Sequence, residues 1–238
     1  MNYESEKVLS DYILMHFGEH DQRMPWGIGK LAALDFPLQT VSYFTQKRVA
    51  LSLDLGCAVG ASAFHLSKTS AKVIGIDFSK LFIDTANQLK ENGEIDYRYQ
   101  EEGSNFTPTT AKIPEGSVAA NVSFAVGDAM NLPEGFKGFD RVHAANLICR
   151  LPDPMMLLDR LPSLVKQGGE LVLATPFSWS EEFTAKENIP KGDSWEWLQA
   201  ALEKHFECIN HADEVFTIRD HVRKFQLGVS KVSHWRRL

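Results

Sequence analysis

The sequence is poor in cysteine. Its three, Cys57, Cys149 and Cys208, lie far apart with neither CxxC spacing nor the density of a disulfide scaffold. A disulfide-stapled secreted fold is excluded, and a reducing, cytoplasmic setting is expected. No apolar run approaches the roughly 20 residues that cross a bilayer, and the polar opening MNYESEKVLSDY lacks the basic and apolar regions of a secretory signal. Positive charge is also short: 25 Lys and Arg against 31 Asp and Glu leave a net charge of -6, which raises the cost of approaching a polyanion. Neither nucleic acid nor membrane is an expected partner. No glycine-rich turn is followed by Gly-Lys-Ser/Thr, so P-loop chemistry is excluded. What is present, 44% apolar and 24% charged residues over 238 positions, describes an ordinary globular chain able to bury about 70% of its unfolded surface.

From residue 49 the pattern alternates between short β-rich runs and helical stretches, the signature of a parallel sheet covered on both faces. Expected strands are Val49 to Leu55, Lys72 to Asp77, Asn121 to Asp128, Phe139 to Asn146, Gly169 to Pro176 and Phe225 to Val232. Expected helices are Ala61 to Lys68, a segment capped by Ser79 and running to about Glu91, Pro154 to Val165, and Trp195 to His205. Asn92 to Ala120, rich in Gly, Pro, Thr and charge, reads as an insertion of loop or hairpin character. Residues 1–48 precede the first strand and form an N-terminal helical cap or lid. The expected architecture over 1–238 is a single doubly wound α/β domain.

Asp54-Leu55-Gly56-Cys57-Ala58-Val59-Gly60 follows a strand and precedes a helix, where open α/β sheets bind ligands. Asp77 ends the next strand, 23 residues after Asp54, placed to accept hydrogen bonds from ribose hydroxyls; Asp128 follows the third strand and is placed to receive an adenine amino group. Gly56, Ala58 and Gly60 miss the G-x-G-x-x-G register of a dinucleotide, and Asp54 would set negative charge beside phosphate. An acidic loop suits S-adenosylmethionine, which carries an ammonium and a sulfonium and no phosphate. Cys57 reads as a small filler of this turn, because no base adjoins it.

Asp54 to Gly60, the aspartate closing GID, GDA at 127–129 and Asn146 after the fourth strand together resemble the ordered motifs of class I S-adenosylmethionine-dependent methyltransferases. The resemblance implies a Rossmann-like, largely parallel seven-stranded sheet with an antiparallel last strand, and it adds Phe78 and Ala129 to the cofactor set of Tyr12, Asp54, Gly56, Cys57, Ala58, Gly60, Asp77, Asp128 and Asn146. LDLGCAVGASAFHLS, GIDFS, GDAMNLP, AANLICRLPDP, TPFSWSEEFTAKENI, NYESEKVLSDYILMHFG and RDHVRKFQLGVSKVSHWRR resemble the methyltransferase domain of ovothiol biosynthesis. That family implies methylation of an imidazole ring nitrogen of 5-thiohistidine, with the selenium analogue selenohistidine equally open. In that family the domain is commonly the C-terminal part of a chain that also has a sulfoxide synthase, so a separate sulfoxide or selenoxide synthase is the expected supplier of substrate here. Alternatives are another small metabolite as acceptor, such as a quinone or amino acid, or a cofactor-binding protein without turnover.

Such an acceptor has two charged ends and a planar ring. Asn146 and Arg150 are the candidate catalytic residues: Asn146 as a hydrogen-bonding group, alternatively a turn residue, and Arg150 as a bidentate carboxylate clamp, alternatively paired with Asp153 or Asp159. Phe177, Trp179 and Glu182, with Glu181 and Phe183, bring aromatics and acids together after the fifth strand. Phe17, Trp26 and Lys30, with Tyr12 and Met24, are expected to exclude water over the methyl group. The basic tail from Arg219 reads as a solvated face from which Arg223 and Lys224 are the exceptions, Arg223 as a substrate residue. His16 and His20 share a helical spacing but have no third ligand, so no metal is expected.

Overall fold

The computed structural model describes residues 2–26 and 32–238. A seven-stranded sheet has the order β5-β2-β1-β6-β7-β9-β8. Its first five positions are parallel: β5 (Val122–Val126), β2 (Ser70–Asp77), β1 (Val49–Leu55), β6 (Phe139–Ala145) and β7 (Val165–Thr175). β9 (Lys224–Arg237) runs antiparallel to both β7 and β8 (Phe206–His221). The antiparallel last strand is therefore inserted between two others. Nearly all of β6, the last four residues of β1 and the last seven of β7 are buried on both faces, with α4 (Ala61–Ser67), α5 (Lys80–Asn92), α6 (Pro154–Leu164) and α7 (Ser194–Leu202) as covering layers.

Helix boundaries have local causes. The Ser79 side chain accepts from the Phe82 amide to start α5, and Gly93, at φ 78°, ends it. Asp153 accepts from Met155 to start α6, and Asp193 accepts from Trp195 and Glu196 to start α7. The insertion is a hairpin, β3 (Glu94–Glu102) and β4 (Asn105–Lys112), outside the main sheet. The cap contains α1 (Glu6–Phe17), α2 (His20–Arg23) and α3 (Phe36–Ser42), and α1 packs against β8 and both hairpin strands.

Two expectations on the sheet need correction. β8, 16 residues long, was not expected, because FECINHADEVFTIRDH mixes charge and apolar residues without clean alternation; only Phe206 at its start and Thr217 to Arg219 near its end are buried. β7 begins at Val165, since that residue pairs with Phe139 directly after α6 ends. The basic tail is also reversed in character. Arg219 is buried, donates to Glu101 and the Gln22 carbonyl, and lies 5.0 Å above the Tyr99 ring, whereas Arg223 and Lys224 are exposed.

A buried acid ties the cap's end to the sheet. Glu170 on β7 accepts from the Thr45 amide (3.1 Å), the Thr45 hydroxyl and the Gln46 amide (3.3 Å), and lies 3.2 Å from His234 and 3.8 Å from Arg141. Burial alone would raise its pKa; the His234 ring, the Thr45 hydroxyl and these amides outweigh burial and hold it at about 2. Its folded value lies below the ordinary 4.5, so its stabilisation is present above about 4.5 and lost as pH falls towards 2. Acid titration of unfolding should show the wild type's advantage over Glu170→Gln, about 2–3 kcal/mol near neutral pH, shrinking across that window.

Candidate functional site

The strand order reverses direction on either side of β1, and at such a switch point the loops leaving the strands diverge and open a crevice. A cavity of about 670 Å³ fills it, within the size range of small-ligand sites. Its floor is the β1–α4 turn. Gly56 takes φ 66° and Ala58 takes φ 46°, so the chain doubles back tightly, and Ile76 O accepts from the amides of Gly56 (2.8 Å) and Cys57 (3.1 Å). Asp77 ends β2 and fixes the turn: one carboxylate oxygen accepts from Ala58 N and the other from Ser79 N, both at 2.9 Å. Burial pushes the Asp77 carboxyl upward, opposed by those two amides. Each oxygen retains a second lone pair for a ligand hydroxyl.

Of the expected cofactor residues, Tyr12, Asp54, Gly56, Cys57, Ala58, Asp77, Phe78, Asp128, Ala129 and Asn146 all line this one cavity. Gly60 does not. It opens α4 at φ 94°, and a Cβ there would stand 2.6 Å from the Phe124 ring, so packing requires the glycine. Cys57 is buried and its thiol is pushed up by burial, with Asp77 and Asp54 adding to the effect, which leaves it un-ionised as a filler. Asn146 sits at φ 55° directly after β6, its Oδ1 accepting from Ser230 at 2.6 Å. Arg150 also reaches the wall. It pairs with neither Asp153 nor Asp159: it donates to Ser178 O (3.0 Å), Ser178 Oγ (3.1 Å) and Cys149 O (3.0 Å) and lies 4.8 Å above the Phe183 ring.

The expected substrate residues divide. Glu182 lines the cavity, as do Ser178 and Phe183 beside it. Phe177 and Trp179 pack on the core instead, because Phe177 adopts φ 49° and the chain turns both rings inward; Trp179 Nε1 donates to Ser194 (3.0 Å) and its ring meets Trp197 edge-on. Phe17 packs edge-on against Phe64, away from the cavity. Trp26 is exposed, donating to Val222 O beneath the Arg223 guanidinium, and Arg223 pairs with Glu102 at 3.4 Å, so neither reaches the wall. Lys30 lies outside the described residues.

Sequence reasoning missed much of the wall, including Tyr3, Met15 and His16 of the cap, Phe36 and Pro37 at the start of α3, His143 on β6, and Phe216, Ile218, Gln226, Leu227 and Gly228 of the β8–β9 ribbon. His16 is pushed down to about 3 by burial, with Arg23 and His65 adding to it, so it stands neutral at the cavity. Burial raises the Tyr12 phenol, which stays protonated, and its ring packs 5.0 Å from Phe82. The steric reading of Gly60 is testable by urea unfolding. Gly60→Ala should cost about 2–3 kcal/mol through its φ and the Phe124 contact, and Phe124→Leu in the same chain should restore part of that loss.

Asp54 Oδ2 is buried and has no partner among the described residues, which leaves the carboxylate unneutralised beside the cavity. Acids at Asp54, Asp77 and Asp128 with no phosphate cradle fit S-adenosylmethionine. The family model "Methyltransferase domain" matches residues 53–173, just over half the chain. Similar curated proteins include a ubiquinone biosynthesis O-methyltransferase from Coxiella burnetii (26% identical; 52% of this chain, 42% of that one). The methyltransferase GfsG from Streptomyces halstedii is 31% identical over 51% of this chain and 36% of its own. The chain thus spans about two fifths of the length of the curated relatives it matches. Among solved structures, the N-methyltransferase NodS from Bradyrhizobium japonicum in complex with S-adenosyl-L-homocysteine superposes with a TM-score of 0.58 at 14% identity, covering 96% of this chain and 98% of that one. The sheet, the crevice and the family match agree: this chain belongs to the methyltransferase domain family and has the Rossmann-like fold of its structural neighbours.

Proposed function

We propose that the chain methylates a ring nitrogen of a histidine whose imidazole carries sulfur or selenium, 5-thiohistidine or selenohistidine. One observation carries this reading: Arg150 and Glu182 line the same cavity, with the Phe183 ring under the guanidinium. A cation and an acid lining one cavity match the carboxylate and ammonium of a small amino acid better than they match a neutral acceptor. The resemblance of seven segments to the ovothiol methyltransferase domain supports the same choice.

The cofactor supplies an electrophilic methyl group on a sulfonium. Asp77 would hold the ribose hydroxyls, Asp128 the adenine amino group, and Asp54 the cationic tail. Ser178, already bonded to Arg150, fixes the guanidinium so that its remaining N–H groups meet a carboxylate in one geometry. With Oδ1 of Asn146 taken by Ser230, that side chain offers its N–H donors to the ring. Tyr3, Tyr12 and Phe36 would keep water from the reacting atoms. Rate then comes from placement: an electron-rich, neutral ring nitrogen held in line with the methyl carbon needs no strong base.

The test is mass analysis after incubation with S-adenosylmethionine and, in parallel, 5-thiohistidine, selenohistidine, histidine and a demethylated quinone. Gain of one methyl group on thio- or selenohistidine alone supports the proposal. Methylation of the quinone alone would replace it with the activity named for the Coxiella relative. Arg150→Lys should raise KM for the acceptor by about ten- to a hundredfold, through loss of a bidentate charged contact, with cofactor affinity changed little. Asp77→Asn should do the converse, weakening S-adenosylmethionine binding about ten- to a hundredfold by calorimetry.

A further inference from the structure

Asp54 and His143 face each other in register across β1 and β6. Asp54 Oδ1 lies 2.7 Å from His143 Nδ1, and His143 Nε2 lies 3.0 Å from Thr40 Oγ1 on α3. All three are buried, and Asp54 and His143 line the cavity. The Thr40 hydroxyl has alternative acceptors in Phe36 O (3.1 Å) and Pro37 O (3.2 Å).

That choice has a chemical meaning. With a neutral ring, Nδ1–H donates to Asp54 and the Thr40 hydroxyl donates to Nε2. With a protonated ring, Nε2–H donates to Thr40 Oγ1, whose own hydrogen turns to a carbonyl of α3. Rotation of one hydroxyl gives both ring nitrogens and the hydroxyl a partner in either state, so the choice between the states orphans no further donor or acceptor. Charge then selects between them: the Asp54–His143 pair is neutral with the ring protonated and carries -1 with the ring neutral. On the other side of His143, β7 presents Val172. Phe44 faces the ring at 6.4 Å and itself contacts Arg141 and His234 of the Glu170 cluster, while Asp77 and Cys57 act on the Asp54 side. A cation entering the cavity would therefore meet a pair that can shed a positive charge of its own.

We propose that His143 positions Asp54 and releases a proton when the cationic cofactor binds. The Nε2–H bond breaks, the proton passes to a buffer base, the ring keeps its Nδ1 hydrogen on Asp54, and the ionised carboxylate becomes the counter-charge of the ligand. The device goes beyond the acceptor reading and operates whichever acceptor is methylated.

Calorimetric titration of S-adenosylmethionine into the wild-type protein, in phosphate and in Tris near neutral pH, tests it. The two binding enthalpies should differ by an amount corresponding to release of a substantial fraction of a proton, up to about one per cofactor. Nitrogen-15 NMR of the His143 ring should show Nε2 protonated in the free protein and deprotonated in the complex. His143→Gln should abolish the buffer dependence. Thr40→Val should also abolish it without touching the ring, and Thr40→Ser should restore it. Equal enthalpies in both buffers, an unchanged ring, or a buffer dependence that survives in His143→Gln would overturn the proposal while leaving the acceptor reading intact. Failure of S-adenosylmethionine to bind at all would overturn the cofactor and the proton site together.

Discussion

The site rests on one aromatic ring. Phe124, projecting from β5, occupies the space that side chains at two glycines would need: a Cβ at Gly60 or at Gly75 would each stand 2.6 Å from it. Gly60 starts the helix behind the β1–α4 turn and Gly75 lies in β2, so the ring locks an edge strand, its neighbour and the turn to one another. Phe64 closes on the same ring at 5.5 Å, edge-on. Interiors are too densely packed to absorb an extra methyl group at such a point. The backbone path from Gly56 to Ala58, and with it the position of the Asp77 carboxylate, therefore follows from packing beneath the crevice.

Above the crevice the constraint is ionic and is shared by three parts of the chain that are distant in sequence. Arg219 near the end of β8 donates to Glu101 of the hairpin and to the Gln22 carbonyl of the cap, and the Val222 amide donates to Glu101 O at 2.9 Å. Ser10 of α1 donates to Arg98 O at 2.7 Å, and Gln22 to Thr109 at 2.9 Å. A buried arginine without its partner would cost several kcal/mol, so the network holds together as a unit. By this bracing the hairpin at 94–112, which contributes nothing to the cavity wall, holds α1 and the β8–β9 ribbon where their side chains do.

The lower half of the site was legible because its chemistry is tied to backbone position. An acid at a strand end followed by a glycine turn specifies where it must stand, and Asp54, Gly56, Asp77 and Asp128 stand there. The upper half was not legible, because which way a side chain faces on a loop or an edge ribbon is decided by partners far along the chain. Phe177 and Trp179 have the right chemistry for a ring pocket, yet a positive φ at Phe177 turns them into the core. Arg219 reads like its solvated neighbours until Glu101 is folded against it. Leu227 continues the apolar alternation of Phe225 and Val229, yet it is exposed and lies on the cavity rim. His143 sits in an unremarkable strand run, and only strand register places it opposite Asp54.

The same division separates what the relatives can say from what they cannot. The family match covers residues 53–173. Within it lie the cavity residues Asp54, Asp77, Asp128, His143, Asn146 and Arg150. Outside it lie, among other wall residues, Tyr12, His16 and Phe36 before the match, and Ser178, Glu182, Phe183 and Gln226 after it. On the proposed reading, the matched region holds most of the methyl donor and the unmatched flanks enclose most of the acceptor. A relative named for ubiquinone biosynthesis and the different acceptor proposed here are compatible with one shared core. On that reading, the acceptor would be selected where the matched region meets its flanks, by the Arg150 guanidinium held by Ser178 and by Glu182 and Phe183 of the loop after β7.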